Sequence, residues 1–245
     1  MILEHLHREK KRKIEMSLIV DYLKDYFKGE NKNILEFGCG DGFQIPFLEK
    51  ISNNVTAIDI EIDANLKNRY SNKAVFQSSI NHTPFDDNQF HLIFSNHVIE
   101  HLEDLQGATR EMIRIGSDEC VYVFSVPTNI WLLLSLPAQY YRKIKYIFGS
   151  LNMNVSDGVN STNKRSSLLQ KVMPKGHGVY SGFFECYNSF RIKSWNKLFN
   201  ELGFNIIGIK PLLLYSASEF PVFPTTHLFT RFGVCSSVLF VLKKY

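Results

Sequence analysis

The chain has 245 residues, 44% of them hydrophobic and 21% charged, with a formal charge of +4. That suits one α/β domain with a full core. Its mild charge sets nucleic acid aside as an expected partner, since chains that live on nucleic acid concentrate basic residues on one face.

No apolar run approaches the ~18 residues of a membrane span. Four scattered cysteines, Cys39, Cys120, Cys186 and Cys235, form no C-x-x-C pair, which argues against a zinc knuckle or a disulfide framework. Together with an N-terminus that lacks a signal-peptide pattern, this leads to an expected cytoplasmic location. The densest basic run, "REKKRK" from Arg8 to Lys13, reads as a solvated helix face.

In chain order, residues 1–30 are expected to form a helical cap, with Ile14, Leu18, Tyr22 and Phe27 on one apolar stripe. Short β-rich runs follow at Ile34–Phe37, Val55–Ile58, Ala74–Phe76, Leu92–Ser95 and Val121–Ser125. Helical patterns fill the gaps near Gln44–Ile51, Asp63–Tyr70, His97–Leu102 and Leu105–Ile115. Strands alternating with helices imply a parallel sheet with right-handed crossovers. The alternation stops for an insertion over residues 128–188, part of which, around 149–167, is rich in Ser, Asn and Gly and reads as a loop. It resumes with a helix bearing Ile192, Trp195, Leu198, Phe199 and Leu202 on one face and Gly203 as its stop. Strands at Asn205–Ile209 and Ser237–Lys243 complete the expected fold. That fold is an α/β, doubly wound, seven-stranded and mostly parallel sheet with an insertion after strand five.

The loop after the first strand, in "NILEFGCGDGF", is the expected ligand position, because ligands sit at strand carboxyl ends where the strand order reverses. A phosphate-cradling G-x-x-x-x-G-K-[ST] loop is excluded, since no Lys-Ser or Lys-Thr follows Gly42. The dinucleotide fingerprint G-x-G-x-x-G fails where Phe43 replaces its third glycine. What remains is E-x-G-x-G-x-G, met by Glu36, Gly38, Gly40 and Gly42.

"ILEFGCGDG", then "VTAIDIE", "VFQSSINHTPFDDNQFHLIFSNHVIEHLED" and "REMIRIG", resemble the ordered motifs of class I S-adenosyl-L-methionine (SAM)-dependent methyltransferases. Within them the chain looks most like the group with a V-[IL]-E-H-[LI] segment after strand four. The resemblance implies SAM as cofactor and a Rossmann-like fold. Backbone amides at Gly38, Cys39 and Gly40 would suit the SAM carboxylate, beside a helix N-terminus. Glu36 would attract the ammonium, Asp59 would accept the ribose hydroxyls, and Ile60 would cover the adenine. Ser79 and Ile80 would flank the adenine edge, and Asn96 would lie near the methionyl part. Ser79 stands where the family usually carries Asp, which implies weaker SAM binding. Cys39 reads as a small packing residue rather than a nucleophile. Asp86 and Asp87 belong to an Asp-Asp-Asn turn, and His91, at another departure from the family, is expected to face solvent or a local turn.

Transfer to a hydroxyl needs a proton acceptor, which draws attention to the histidines. His97, Glu100 and His101 share i, i+3, i+4 spacing, so a helix would put them on one face. His101 and His97 are the candidate catalytic residues, while positioning and metal binding stand beside that reading without a committed metal ligand. In the insertion, His177 and Tyr180 of "HGVYSGFF" are candidate substrate contacts from a lid. Aromatic and basic residues interleave over 130–148, which suits a lid helix or peripheral membrane contact.

The composition, rich in Asn, Lys, Ile and Phe, hints at an AT-rich bacterial genome. The expected activity is methyl transfer to the hydroxyl or amine of a small or carrier-linked molecule, in tailoring of surface polysaccharide or secondary metabolites. Two alternatives stand beside it: a metal-dependent RNA 2′-O-methyltransferase, to whose E-V-I-E-H-L element this segment is similar, and a non-catalytic regulatory protein on the same fold.

Overall fold

In a computed structural model of the protein, residues 2–62, 64–70, 74–141, 144, 176–216 and 226–245 are described. Seven strands form one sheet: β1 (Asn33–Phe37), β2 (Asn54–Asp59), β3 (Ala74–Gln77), β4 (Phe90–Asn96), β5 (Gly116–Pro127), β6 (Phe204–Pro211) and β7 (Ser237–Lys244). Their order is β3-β2-β1-β4-β5-β7-β6. β1 to β5 pair in parallel, and β7 runs antiparallel to both β5 and β6. The order reverses between β1 and β4, so their carboxyl ends flank the crevice where a doubly wound sheet takes its ligand.

The strands read as unbroken apolar runs because both faces are covered. In β7, Val238, Phe240 and Leu242 enter one core while Leu239 and Val241 enter the other. The first core is closed by α4 (Leu105–Ile115), α6 (Phe183–Ser189) and α7 (Ile192–Glu201), with Met112, Trp195 and Phe199 at most 1% exposed. Each such side chain contributes about 1.5–3 kcal/mol by leaving water. α4 begins where the Asp104 side chain accepts the Gly107 N–H at 2.8 Å, and α7 ends at Gly203 with φ +87°. Both match the sequence reading of those helices.

The second core is closed by α1 (Ile2–Leu23), the short α2 (Ile45–Leu48) and α3 (Ala64–Arg69). The expected stripe packs on this core: Ile14, Leu18 and Tyr22 are partly covered against it and Phe27 is buried just past the helix, while their neighbours Met16, Ile19, Val20 and Leu23, with Glu15, are buried more deeply. α2 is half the expected length, with Pro at its first turn.

The expected helix over 97–102 is a single 3₁₀ turn, Ile99–His101. His97 has a left-handed φ of +58°, which a helix does not contain. His91 turns inward rather than to solvent: its Nδ1 accepts the Asn33 N–H at 3.2 Å and ties β4 to β1. Asp87 pairs with Arg114 at 2.6 Å, beside the Asn88 turn at φ +59°.

α5 (Asn129–Leu134) opens the insertion, and the chain is helical again over 136–141. The expected loop around 149–167 and most of 142–148 lie outside the described residues.

Candidate active site

The glycine loop after β1 takes its shape from three left-handed residues, Gly38 (φ +73°), Gly40 (φ +54°) and Gly42 (φ +70°). A side chain at Gly38 would collide with Val98, and one at Gly42 with Leu66 and Tyr70. At Gly40 nothing lies within 4 Å of where a Cβ would point. The loop therefore needs glycine twice for packing and once to leave room for something else.

Three amides of that loop are committed. Gly38 and Cys39 both donate to the Ile58 carbonyl, at 2.8 and 3.2 Å, and Gly40 donates to Asp59 Oδ2 at 2.7 Å. The sequence reading offered these amides to a ligand carboxylate; the structure spends them on holding the loop to the end of β2. Cys39 is 1% exposed, and burial pushes its thiol up to about 12, which suits packing and excludes a nucleophile.

Glu36 stands beneath the loop on β1. It is fully buried, and neither carboxylate oxygen has a hydrogen-bond partner. Burial pushes its pKa up to about 8. An isolated buried carboxyl is costly, so a cationic ligand group nearby would relieve it. Asn96, at the end of β4, likewise has a buried Oδ1 without a partner.

A cavity of about 940 Å³ opens at this point. Of the expected residues, Gly38, Cys39, Gly40, Asn96, His97, His101 and His177 line it. Glu36, Asp59, Ile60, Ser79, Ile80 and Tyr180 do not. Asp59 is turned to the loop, where Glu61 N–H also donates to its Oδ1 at 3.2 Å. Ile60 is 67% exposed, and Ser79 is bonded into a local turn with Asn81. Ile80 is buried in the first core. Tyr180 packs on Phe190 with ring centroids 5.6 Å apart.

The two candidate catalytic histidines play different parts. His97 lies between two carboxylates: its Nε2 is 3.6 Å from Glu15 and its Nδ1 is 3.6 Å from Glu100. Tyr215 Oη is 3.3 Å from Nε2. Burial opposes its charge, but Glu100 and Glu15 outweigh that and raise its pKa to about 10. His97 is thus a charged donor at neutral pH, and its amide donates to the Ser125 carbonyl at 2.9 Å.

His101 is exposed at the cavity wall, and its ring meets that of His177 edge-on at 4.9 Å. Burial lowers the His177 pKa, with His101 adding to the effect. Its turn is fastened to the 3₁₀ turn: Val179 N–H donates to the Glu100 carbonyl at 3.0 Å. Gly178, at φ +63°, lies so close to that carbonyl that no Cβ fits. His177, expected in a lid, thus lines the cavity wall.

Sequence reasoning missed the wall supplied by α1. Arg8, Lys11, Arg12 and Glu15 all line the cavity. Arg12 holds Asp41 of the glycine loop through two bonds, at 2.8 and 2.7 Å, and covers the Phe43 ring at 4.1 Å. Arg12 keeps the Asp41 carboxyl down at about 2. Their 8, 11/12, 15 spacing is a helix face, and that was the available signal inside a run read as solvated. Trp131 from α5 and Tyr215 complete the wall.

Known proteins match this arrangement in part. Residues 35–124 match the family model described as a methyltransferase domain. A Mycobacterium tuberculosis protein named a probable S-adenosylmethionine-dependent methyltransferase is 28% identical over 101 residues, 40% of this chain and 37% of that protein. An uncharacterized Methanocaldococcus jannaschii protein is 26% identical over 167 residues, 66% of this chain and 57% of its own. The chain thus spans less than two thirds of these relatives' length. Among solved structures, a SAM-dependent methyltransferase of Thermotoga maritima superposes with a TM-score of 0.58 at 14% identity, covering 97% of this chain and 91% of that one.

Proposed function

We propose, from the premise that residues 35–124 form a class I SAM-dependent methyltransferase domain, that the chain moves a methyl group from SAM to the hydroxyl or amine of a small or carrier-linked molecule. The supporting observation is the pairing of an unsatisfied buried Glu36 and an open-faced Gly40 with a 940 Å³ cavity that also holds an imidazole pair.

The residues fit the cofactor. Glu36 would hold the ammonium, Asn96 Oδ1 would take a polar hydrogen of the methionyl part, and Gly40 leaves room for the backbone to be approached. With the Gly38, Cys39 and Gly40 amides committed, the carboxylate falls to the cations of α1 on the cavity wall. Asp59 keeps further lone pairs for the ribose hydroxyls beyond those used by Gly40 and Glu61. When bound, SAM supplies an activated methyl on a sulfonium, so alignment and exclusion of water supply much of the acceleration.

The remaining work belongs to the chain's own side chains. Trp131 and Leu132 give the acceptor an apolar wall. His101 is the imidazole placed to take the acceptor's proton at the exposed side, with His177 beside it. His97, already charged, donates toward Glu15 and Glu100 and holds the 3₁₀ turn in place.

Calorimetric titration with S-adenosylhomocysteine tests the reading, with saturable one-to-one binding expected. No heat at high micromolar ligand overturns it. Mass spectrometry of glycan-precursor and metabolite pools after incubation with SAM then reads the acceptor as a 14 Da gain, about the mass of one CH₂.

A further inference from the structure

We propose that Glu100, His101 and His177 bind one divalent cation of the Zn²⁺, Mn²⁺ or Co²⁺ type at the wall of the cavity. One ligand atom from each lies within 4.8 Å of the other two. Ligand atoms at about 2.1 Å from one tetrahedral centre stand ~3.4 Å apart, so side-chain movements that close up to ~1.4 Å complete the site.

A second observation points to the same occupant. Glu100 is 2% exposed, yet neither of its carboxylate oxygens has a hydrogen-bond partner. Its nearest described cation, His97, stands off at 3.6 Å. That long ion pair leaves both oxygens without a hydrogen bond, and a directly ligated cation would satisfy them.

The ligands are also held in place before any ion arrives. His177 is 77 residues from Glu100 by number, and the Val179–Glu100 hydrogen bond with the glycine contact at Gly178 brings their turns together. Trp131 and Phe190 pack edge-on against the His177 ring, at 4.7 and 6.2 Å, and fix its plane. His101 donates its own amide to the Val98 carbonyl at 2.8 Å, which fixes its turn. Such outside support orients metal ligands.

Two imidazoles and one carboxylate suit Zn²⁺, Mn²⁺ or Co²⁺ rather than Mg²⁺ or Ca²⁺, which prefer oxygen alone. Three protein ligands leave further positions open to the cavity. A hydroxyl acceptor ligated there would release its proton to solvent. Its oxygen would then form the new C–O bond as the sulfonium C–S bond breaks, leaving a neutral thioether and a methyl ether. The activating role assigned to the His101 lone pair would pass to the cation.

The test uses the tag-free full chain, stripped with a chelator and titrated with Co²⁺ without SAM. One equivalent is expected to bind, giving a visible d–d band without thiolate charge transfer, and Zn²⁺ is expected to displace it while millimolar Mg²⁺ is not. His177→Ala and Glu100→Gln should each weaken binding about tenfold or more. Circular dichroism and a thermal melt report whether each variant is folded, and if Glu100→Gln is not, His177→Ala decides. Absence of saturable Co²⁺ binding in the wild type, or unchanged affinity in a folded His177→Ala, overturns the site. Loss of S-adenosylhomocysteine binding in the wild type would count against methyl transfer alone, since the metal titration omits that ligand.

Discussion

The Val179 amide donates to the Glu100 carbonyl at 3.0 Å, joining the insertion to the turn that follows β4. Gly178 makes that contact geometrically possible, because its φ of +63° and its missing Cβ both serve it. Gly178→Ala should therefore displace His177 from His101 without touching the glycine loop. Turnover is expected to fall about tenfold or more, since a shift of about 1 Å near the chemistry can cost 10²-fold. S-adenosylhomocysteine affinity should stay within about twofold. A variant with wild-type turnover would show that the joint does not position the site.

Glu36 sets function against stability. Its pKa rises from 4.5 to about 8 on folding. Between those values the unfolded chain binds fewer protons than the folded one, so stability falls as pH rises from 4.5 to 8. Glu36→Gln removes this slope and is expected to stabilise the ligand-free protein at pH 8 by on the order of 1–3 kcal/mol. It should also weaken S-adenosylhomocysteine binding, because the ammonium loses its anion. Denaturant melts at pH 5 and pH 8 with both proteins read the first effect, and calorimetry the second. A variant that binds as well as the wild type would remove Glu36 from the site.

His97 gives a second pH window of the same sign. Its pKa is raised from 6.5 to about 10, so its stabilising interaction with Glu15 and Glu100 is whole below pH 6.5 and lost as pH rises through 10. His97→Asn keeps a residue that tolerates the left-handed backbone. The melting-temperature gap between wild type and variant should shrink from pH 6.5 to pH 10. A gap that does not change with pH would mean that the imidazole is not charged there.

Six strands were legible to within two residues at each end, since runs such as "VLFVL" are apolar on both faces as in a covered sheet, while β5 begins at Gly116, five residues before its expected start. α4 was legible as a helical pattern between strands, and α7 from its apolar face and the Gly203 stop. His97 was misread because its spacing to Glu100 and His101 is helical by number, whereas its φ is a tertiary choice fixed by Ser125 and Glu15. The grouping of His177 with His101 could not be read at all, because it depends on an amide-to-carbonyl bond between distant turns. The cavity wall from α1 was hidden for a related reason. Arg12 and Lys11 look like any solvated cations until Asp41, Phe43 and Tyr215 are placed opposite them.

Glu15 and Ser237 meet through a side-chain hydrogen bond across a separation of 222 positions. Glu15 also faces His97 Nε2 at 3.6 Å. One acid therefore joins the cavity histidine to the strand that lies between β5 and β6. A substitution at Ser237, which does not line the cavity, would reach His97 through that shared carboxylate.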